Sequence, residues 1–396
     1  MSKKITLRTK TRQVWCGRVP IGGGAPVSIQ SMTNTYTEDI DATVEQIAAL
    51  YDAGADIVRV AAPTTNAAKA ITVIKNRIEA LGNALPIVAD IHFDYRIALQ
   101  AIKAGADKIR INPGNIGGEE RIKMVADAAG AAGIPIRIGI NSGSIQNDLL
   151  ELYEKNPAKA LAESAFRSIE LIRKTEFEDI VVSIKTSDVI YNTEAHKLLA
   201  AETNLPLHIG ITEAGLGEAG IVKSAVGIGS LLTMGIGDTI RVSLTGNPIQ
   251  EITAARDILR AVNLLHGQIT IISCPTCGRC KADLAAICCT VSDSISEIEN
   301  RRISSARKRN GLLYDNRNDK AVDSNDIVIN RPITVAIMGC AVNGPGEASH
   351  ADLGVALGPD GGVYFEKGFK IGVVTYDKIA EKIIDGIKRL NHAKSF

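Results

Sequence analysis

"LPIVADIHFDYRIALQAIKAGADKIRINPGN", residues 85–115, is the stretch on which the fold turns. Two short runs rich in Ile and Val, each closing on polar residues, flank an Ala-rich segment whose apolar positions recur at helical spacing. The segment stops at Gly105, where a helix end calls for positive φ. Two strands joined through a helix run parallel, because a hairpin would need only a short turn.

The same unit repeats outward in both directions. Upstream lie "PVSIQSMT" from Pro26 and "ADIVRVAAP" from Ala55; downstream lie "IPIRIGINSGS" from Ile134, "DIVVSIKTSD" from Asp179, "LPLHIGITEAG" from Leu205 and "GDTIRVSLTGNP" from Gly237. With the two strands of the opening stretch this makes eight, and eight alternating units predict an α/β protein of the (β/α)8 TIM-barrel type over residues 1–265 rather than an open doubly wound sheet. After Ile271 the pattern changes, so residues 266–396 are expected to form a smaller α/β domain with a charged, exposed insertion around 281–331.

The composition narrows the functional classes. Lys plus Arg is 45 against 44 for Asp plus Glu, so no bulk field draws the chain to nucleic acid or an anionic membrane, and any anion must be bound locally. The basic run within "ENRRISSARKRN" lacks interleaved aromatics and reads as a solvated face. No stretch reaches the roughly 20 apolar residues of a membrane span, and the start has no signal-peptide pattern, so a cytoplasmic location is expected. Seven cysteines in a reducing compartment favour metal or redox chemistry over disulfides.

Polar residues gather at the strand ends: Arg59, Asp90 with His92, Arg110 with Asn112, Arg137 with Asn141, Lys185, His208 with Glu213, and Arg241 with Ser243. Barrels carry their active sites at that face. A ring of guanidinium groups there suits a substrate with phosphates, whose oxygens they bind two at a time. "GLGEAG", Gly215–Gly220, fits a dinucleotide fingerprint, but it follows the seventh strand, where barrels more often bind a phosphate.

"CPTCGRC", residues 274–280, places three cysteines in one short run. Together with Cys340 in "IMGCAVNGPGEAS", spacing alone suggests Cys274, Cys277, Cys280 and Cys340 around an iron-sulfur cluster or a structural zinc. Cys288 and Cys289 lie on an apolar helical face and read as packing residues, as does Cys16.

The motifs "SIQSMTNT", "ADIHFDYR", "RIGINSGS", "HIGITEAG", "CPTCGR" and "MGCAVNGPGEA", in order along nearly the whole chain, resemble the 4-hydroxy-3-methylbut-2-enyl diphosphate synthase family. The resemblance implies reductive opening of 2-C-methyl-D-erythritol 2,4-cyclodiphosphate with two electrons from reduced flavodoxin or ferredoxin. It implies a [4Fe-4S] cluster on Cys274, Cys277, Cys340 and Glu347, displacing Cys280 from the set. It assigns the substrate's phosphates to Arg59, Arg110, Arg137, Lys185, Arg241 and Ser243, and its carbons and hydroxyls to Asp90, Asn141 and Glu213. By the same resemblance Glu213 is the expected proton handler, with His92 and His208 as secondary candidates and His208 also a substrate-binding residue. It also implies a head-to-tail homodimer, since no large domain separates barrel and cluster module.

Overall fold

In the computed structural model, residues 11–265, 268–280, 282–310, 332–340, 348 and 350–392 are described. They fall into two compact units, one of residues 11–265 and the other of the described residues from 268 to 392.

The first unit is built on strand parity. Its eight parallel strands are β3 (Ser28–Met32), β4 (Ile57–Ala61), β5 (Ile87–Asp90), β6 (Lys108–Ile111), β7 (Ile136–Asn141), β8 (Ile180–Lys185), β9 (His208–Ile209) and β10 (Thr239–Ile240). They pair in the order β8-β7-β6-β5-β4-β3-β10-β9, and a parallel bridge between Val182 and Leu207 brings β8 back to β9. This is the expected barrel. One parity of each strand is aliphatic and meets the surrounding helices: Ile29, Val58, Val60, Ile109, Ile138, Val182 and Ile240 join a single core with helix residues such as Ile47, Ile74 and Leu161. Each such side chain fully removed from water contributes about 1.5–3 kcal/mol, which sets the register of every strand, since a one-residue slip would expose the whole set.

The other parity points into the barrel and is mostly polar. At the N-terminal end it is closed by a hairpin of β1 (Val14–Cys16) and β2 (Val19–Ile21), whose Val14, Cys16, Val19 and Ile21 pack on Ile57, Val88 and Val181. That apolar plug seals one mouth. The other remains available to the βα loops.

Three aspartates just before strands lock neighbouring strands together. Asp56 accepts from the backbone N–H of Ile29 at 2.8 Å, Asp107 from Ile87 at 2.8 Å and Asp238 from Leu207 at 2.7 Å. Each belongs to the outward parity, so its charge faces away from the barrel axis. The helices are signed by their ends: Asp39, Thr64, Asp94, Asn156 and Asp188 cap N-termini through their side chains, and Gly54 closes the first helix with φ at 108°.

The second unit is a five-stranded mixed sheet in the order β11 (Ile269–Ser273), β12 (Ile333–Met338), β13 (Leu353–Gly358), β14 (Gly361–Glu366), β15 (Phe369–Val374). The first three are parallel and the last two antiparallel. Helices Leu284–Asn310 and Ile379–His392 share one core with Val335, Ile337, Leu353 and Val355. The charges of residues 281–331 predict an exposed insertion. Instead, within the long helix Val291, Ile295 and Ile298 recur at intervals of four and three and are buried, with Leu284 and Ile303 continuing the stripe. Residues 311–331 of that stretch lie outside the described residues.

Candidate active site

The site in the first unit is a cavity of about 170 Å³ at the C-terminal ends of the barrel strands, lined by Arg59, Asp90, His92, Arg110, Arg137, Asn141, Ser183, Lys185, Thr212, Arg241 and Ser243. Five cations and one carboxylate therefore share a space the size of a small ligand. Each comes from the inward parity of its strand or the first residues beyond it.

Asp90 organises two of the cations. Its Oδ1 accepts from Arg110 Nη1 at 3.2 Å, its Oδ2 lies 3.7 Å from Arg59 Nε, and His92 Nε2 stands 3.6 Å away. Burial alone would raise the Asp90 pKa, but the Arg59 charge, the His92 hydrogen bond and the Arg110 and Arg137 charges outweigh it. Asp90 is therefore a firmly ionised carboxylate, an acceptor rather than a proton donor. Arg59 also points Nε and Nη2 at Met32 Sδ, at 3.0 and 2.8 Å.

Two glycines make room for the long side chains. A Cβ on Gly139 would come within 2.1 Å of Arg110 Nε, and one on Gly210 within 2.4 Å of the Arg241 carbonyl oxygen and 3.1 Å of Lys185 Nζ. The Arg110 guanidinium lies over Gly139, donates to its carbonyl oxygen at 3.3 Å, and with the Asn141 amide oxygen turned toward it reaches that atom at 3.1 Å.

Arg241 is held from behind. Glu251, buried on helix Pro248–Ala261, accepts from Arg241 Nη2 at 3.4 Å, from the Leu244 backbone N–H at 3.1 Å and from Ser31 Oγ at 3.2 Å. Among the described residues neither Lys185 nor Arg137 has a carboxylate at ion-pair distance. Burial, then the charges of Arg241, Arg59 and Arg137, push the Lys185 pKa well down, and burial followed by Arg59 and Arg110 does the same to Arg137. Crowded cations of this kind are stabilised by an anion in their midst.

The expected residues separate here. Arg59, Asp90, Arg110, Arg137, Asn141, Lys185, Arg241 and Ser243 come together, with His92 beside them. Glu213 does not line the cavity: it is exposed, at φ 51°, in the loop after β9, next to the lining residue Thr212. His208 does not line it either, being fully buried one inward position before Gly210, with burial and then the Arg137 and Lys185 charges keeping its ring neutral. Glu347 lies outside the described residues. Sequence reading missed Ser183, whose parity with Lys185 marked it, and Glu251, Gly139 and Gly210, whose roles exist only across the chain.

In the second unit, strands β11 and β12 are adjacent and parallel, with Ser273 opposite Ile337, so the segments that follow them leave the sheet side by side. Cys274 begins one of these segments and Cys340 belongs to the other. The Gly339 backbone N–H donates to Cys274 Sγ at 3.1 Å. Cys277, exposed, receives the Arg279 backbone N–H and then its guanidinium, which hold the thiol below its usual value. Such donors around sulfur suit thiolate ligands. Cys280 donates to the Ala282 carbonyl oxygen at 3.2 Å and fills the space where a Cβ on Gly339 would meet its Sγ at 2.8 Å. Among the described residues no three His, Cys, Asp or Glu side chains form a ready-made metal cage. Cys16 is buried and Cys288 half-buried against the core as expected, whereas Cys289, on the far side of its helix, is exposed.

Among the described residues no helix is long and apolar enough to cross a membrane. The family model described as the GcpE TIM-barrel domain matches residues 11–256, and that described as the GcpE protein C-terminal domain matches residues 313–389. A protein of Caldanaerobacter subterraneus subsp. tengcongensis, named 4-hydroxy-3-methylbut-2-en-1-yl diphosphate synthase (flavodoxin), is 47% identical over 98% of this chain and 99% of its own length. Proteins of the same name from Caldicellulosiruptor saccharolyticus and Bacillus subtilis are 47% and 44% identical, over 96% and 99% of this chain and 99% and 95% of their own.

Proposed function

Because the chain belongs to the GcpE family of 4-hydroxy-3-methylbut-2-en-1-yl diphosphate synthases, we propose that it opens and dehydrates 2-C-methyl-D-erythritol 2,4-cyclodiphosphate. The product is (E)-4-hydroxy-3-methylbut-2-enyl diphosphate, an isoprenoid precursor of the methylerythritol phosphate pathway. In the balanced step one carbon–oxygen bond to the ring diphosphate breaks, a hydroxyl departs with a proton as water, and two electrons enter the new double bond. Reduced flavodoxin, or ferredoxin in its place, is the donor.

The observation that carries this reading is the cavity with five cations and a single carboxylate. A cyclic diphosphate brings the charge those cations lack. Arg110 and Arg59, held by Asp90, and Arg241, held by Glu251, are fixed donors that need no reorganisation when charge shifts toward the freed phosphate oxygen. Arg137, Lys185 and Ser243 complete the phosphate cradle. Asn141 faces the substrate's hydroxyls beside Asp90, which orients a hydroxyl as acceptor. Since Asp90 stays ionised, the proton for the departing hydroxyl comes from elsewhere, and Glu213 in the loop beside Thr212 is assigned that part. His208, buried beneath, is left out of substrate contact.

Cys274, Cys277, Cys340 and Glu347 would hold a [4Fe-4S] cluster, which supplies the electrons; the adjacent exits of β11 and β12 support the thiolate part of that set. Glu347 would add an oxygen donor to that set, a weaker hold on iron than thiolate.

Tyr36, Phe93, Ile190 and Leu216, all in loops or first helical turns at the barrel's C-terminal face, are each at least 70% exposed. Exposed apolar side chains on four segments at the face that carries a charged cavity suit contact with a partner. A head-to-tail homodimer, in which the cluster unit of one copy covers the barrel of another, supplies it and excludes water during reduction.

The test is an iron and sulfide assay with electronic spectra of anaerobically reconstituted protein, with and without the cyclic diphosphate. About four irons and four sulfides per chain, with a spectrum that changes on adding substrate, are expected. Tetrahedral zinc without sulfide would overturn the reading.

A further inference from the structure

One inward step below the cavity mouth, about 6.6 Å deeper along the strands, lies a second group of polar side chains, of which only Arg137 has a part in the proposed reaction. Gln30 lies beneath Met32, Lys108 beneath Arg110, Arg137 beneath Gly139, His208 beneath Gly210 and Thr239 beneath Arg241. All five are nearly or fully buried. Among the described residues, Lys108 Nζ, Arg137 Nε and Nη1, both ring nitrogens of His208, both amide atoms of Gln30 and Thr239 Oγ1 find no hydrogen-bond partner. In a barrel core these positions are normally filled by branched aliphatics.

The charge here is unbalanced. Asp90 is engaged with Arg59 and Arg110, and Glu251 with Arg241. Asp56, Asp107 and Asp238 are bound to strand N–H groups on the outer parity, with Lys75 at 2.8 Å from Asp107. Cys16 in the plug is close enough to interact with Lys108, but burial pushes its pKa up to about 11, so it is a neutral thiol and not a counter-charge. Burial pulls the Lys108 pKa down to about 8 and that of Arg137 well down; water would satisfy their donors but would bring no counter-charge to their ionised forms.

We propose that the barrel interior beneath the cavity is an anion site, taking a monovalent ion of halide size between Lys108, Arg137 and His208. Lys108 and Arg137 supply the charge, and His208 donates one N–H while Gln30 and Thr239 close the shell. Because Arg137 also lines the cavity above, the ion sets the charge that the substrate's phosphates meet.

The full chain, without substrate, is crystallised from sodium bromide and anomalous scattering is measured at the bromine edge. A bromide peak within hydrogen-bonding distance of Lys108 Nζ is expected in the native protein and its loss in Lys108→Met. In solution, the native protein's melting temperature is expected to rise with the logarithm of bromide or chloride at constant ionic strength, but not with gluconate. A chamber holding only water, a peak that persists in Lys108→Met, or a melting temperature indifferent to halide would overturn the proposal. Should Lys108→Met fail to fold, the two native-protein measurements decide. Neither uses the substrate, so the result is separate from the reading of the cavity above.

Discussion

Gly139 and Gly210 belong to the candidate site as much as its arginines do, since the space they leave lets Arg110 and Lys185 cross the barrel mouth. Gly139→Ala would drive the Arg110 guanidinium off its place. Losing its charge-assisted hydrogen bonds, worth about 1.5–3 kcal/mol, should raise KM for the cyclic diphosphate by roughly 10- to 100-fold with the cluster content unchanged, as steady-state kinetics and an iron assay would record. Asp90→Asn removes the carboxylate from among the cations and should cost about 3 kcal/mol of stability. Because the folded Asp90 pKa is depressed, its contribution is complete above the unfolded value near 3.9 and fades as pH falls below it. Urea melts should thus show a constant gap between native and Asp90→Asn proteins from about pH 5 to 8 that narrows below about pH 4; a gap that widened in acid would contradict the assignment. The arginines were legible because strand ends announce themselves by a switch from aliphatic to charged residues. Glu251, Gly139 and Gly210 were not, since what makes them matter is a partner far along the chain.

Strands reveal themselves in sequence when both neighbours and both faces constrain them. The eight barrel strands did so even where the regular part is as short as His208–Ile209 and Thr239–Ile240, because apolar runs and flanking Gly and Pro extend beyond the paired residues. The Asp-before-strand clamps escaped notice, although the "GAD" at Gly54–Asp56 and Gly105–Asp107 was in plain view. Asp107→Ala should leave the Ile87 N–H unpaired and Lys75 with only the Gly105 carbonyl, lowering stability by about 1–3 kcal/mol in thermal melts. Helix Leu284–Asn310 was hidden by its charges: its apolar stripe is narrow, and the polar majority suggests a loop. That helix separates β11 from β12 in sequence while the two strands pair in space, which is how cysteines 66 positions apart reach one end of a sheet. Cys340→Ser should abolish cluster retention, read as loss of iron, sulfide and the visible spectrum, while Cys280→Ser should keep all three.

At the scale of the whole molecule, the chain divides a two-part task between a barrel that gathers cations and a sheet that gathers thiols. Composition made this division visible, because six of the seven cysteines and the ring of strand-end arginines fall in different parts of the sequence. Assembly was less legible, for an apolar rim is recognised only once the loops bearing it are seen together. If the rim is covered by a second copy, the double variant Phe93→Glu with Leu216→Glu should weaken self-association by at least about tenfold in sedimentation equilibrium, an apolar contact being replaced by buried charge. Glu347→Ala should keep most of the iron and lose most of the activity. The most direct measurement is a single-turnover reaction of the anaerobically reconstituted protein with reduced flavodoxin and the cyclic diphosphate, its products identified by mass spectrometry. The account predicts (E)-4-hydroxy-3-methylbut-2-enyl diphosphate in proportion to cluster; a full complement of iron and sulfide with the cyclic diphosphate recovered intact would contradict it.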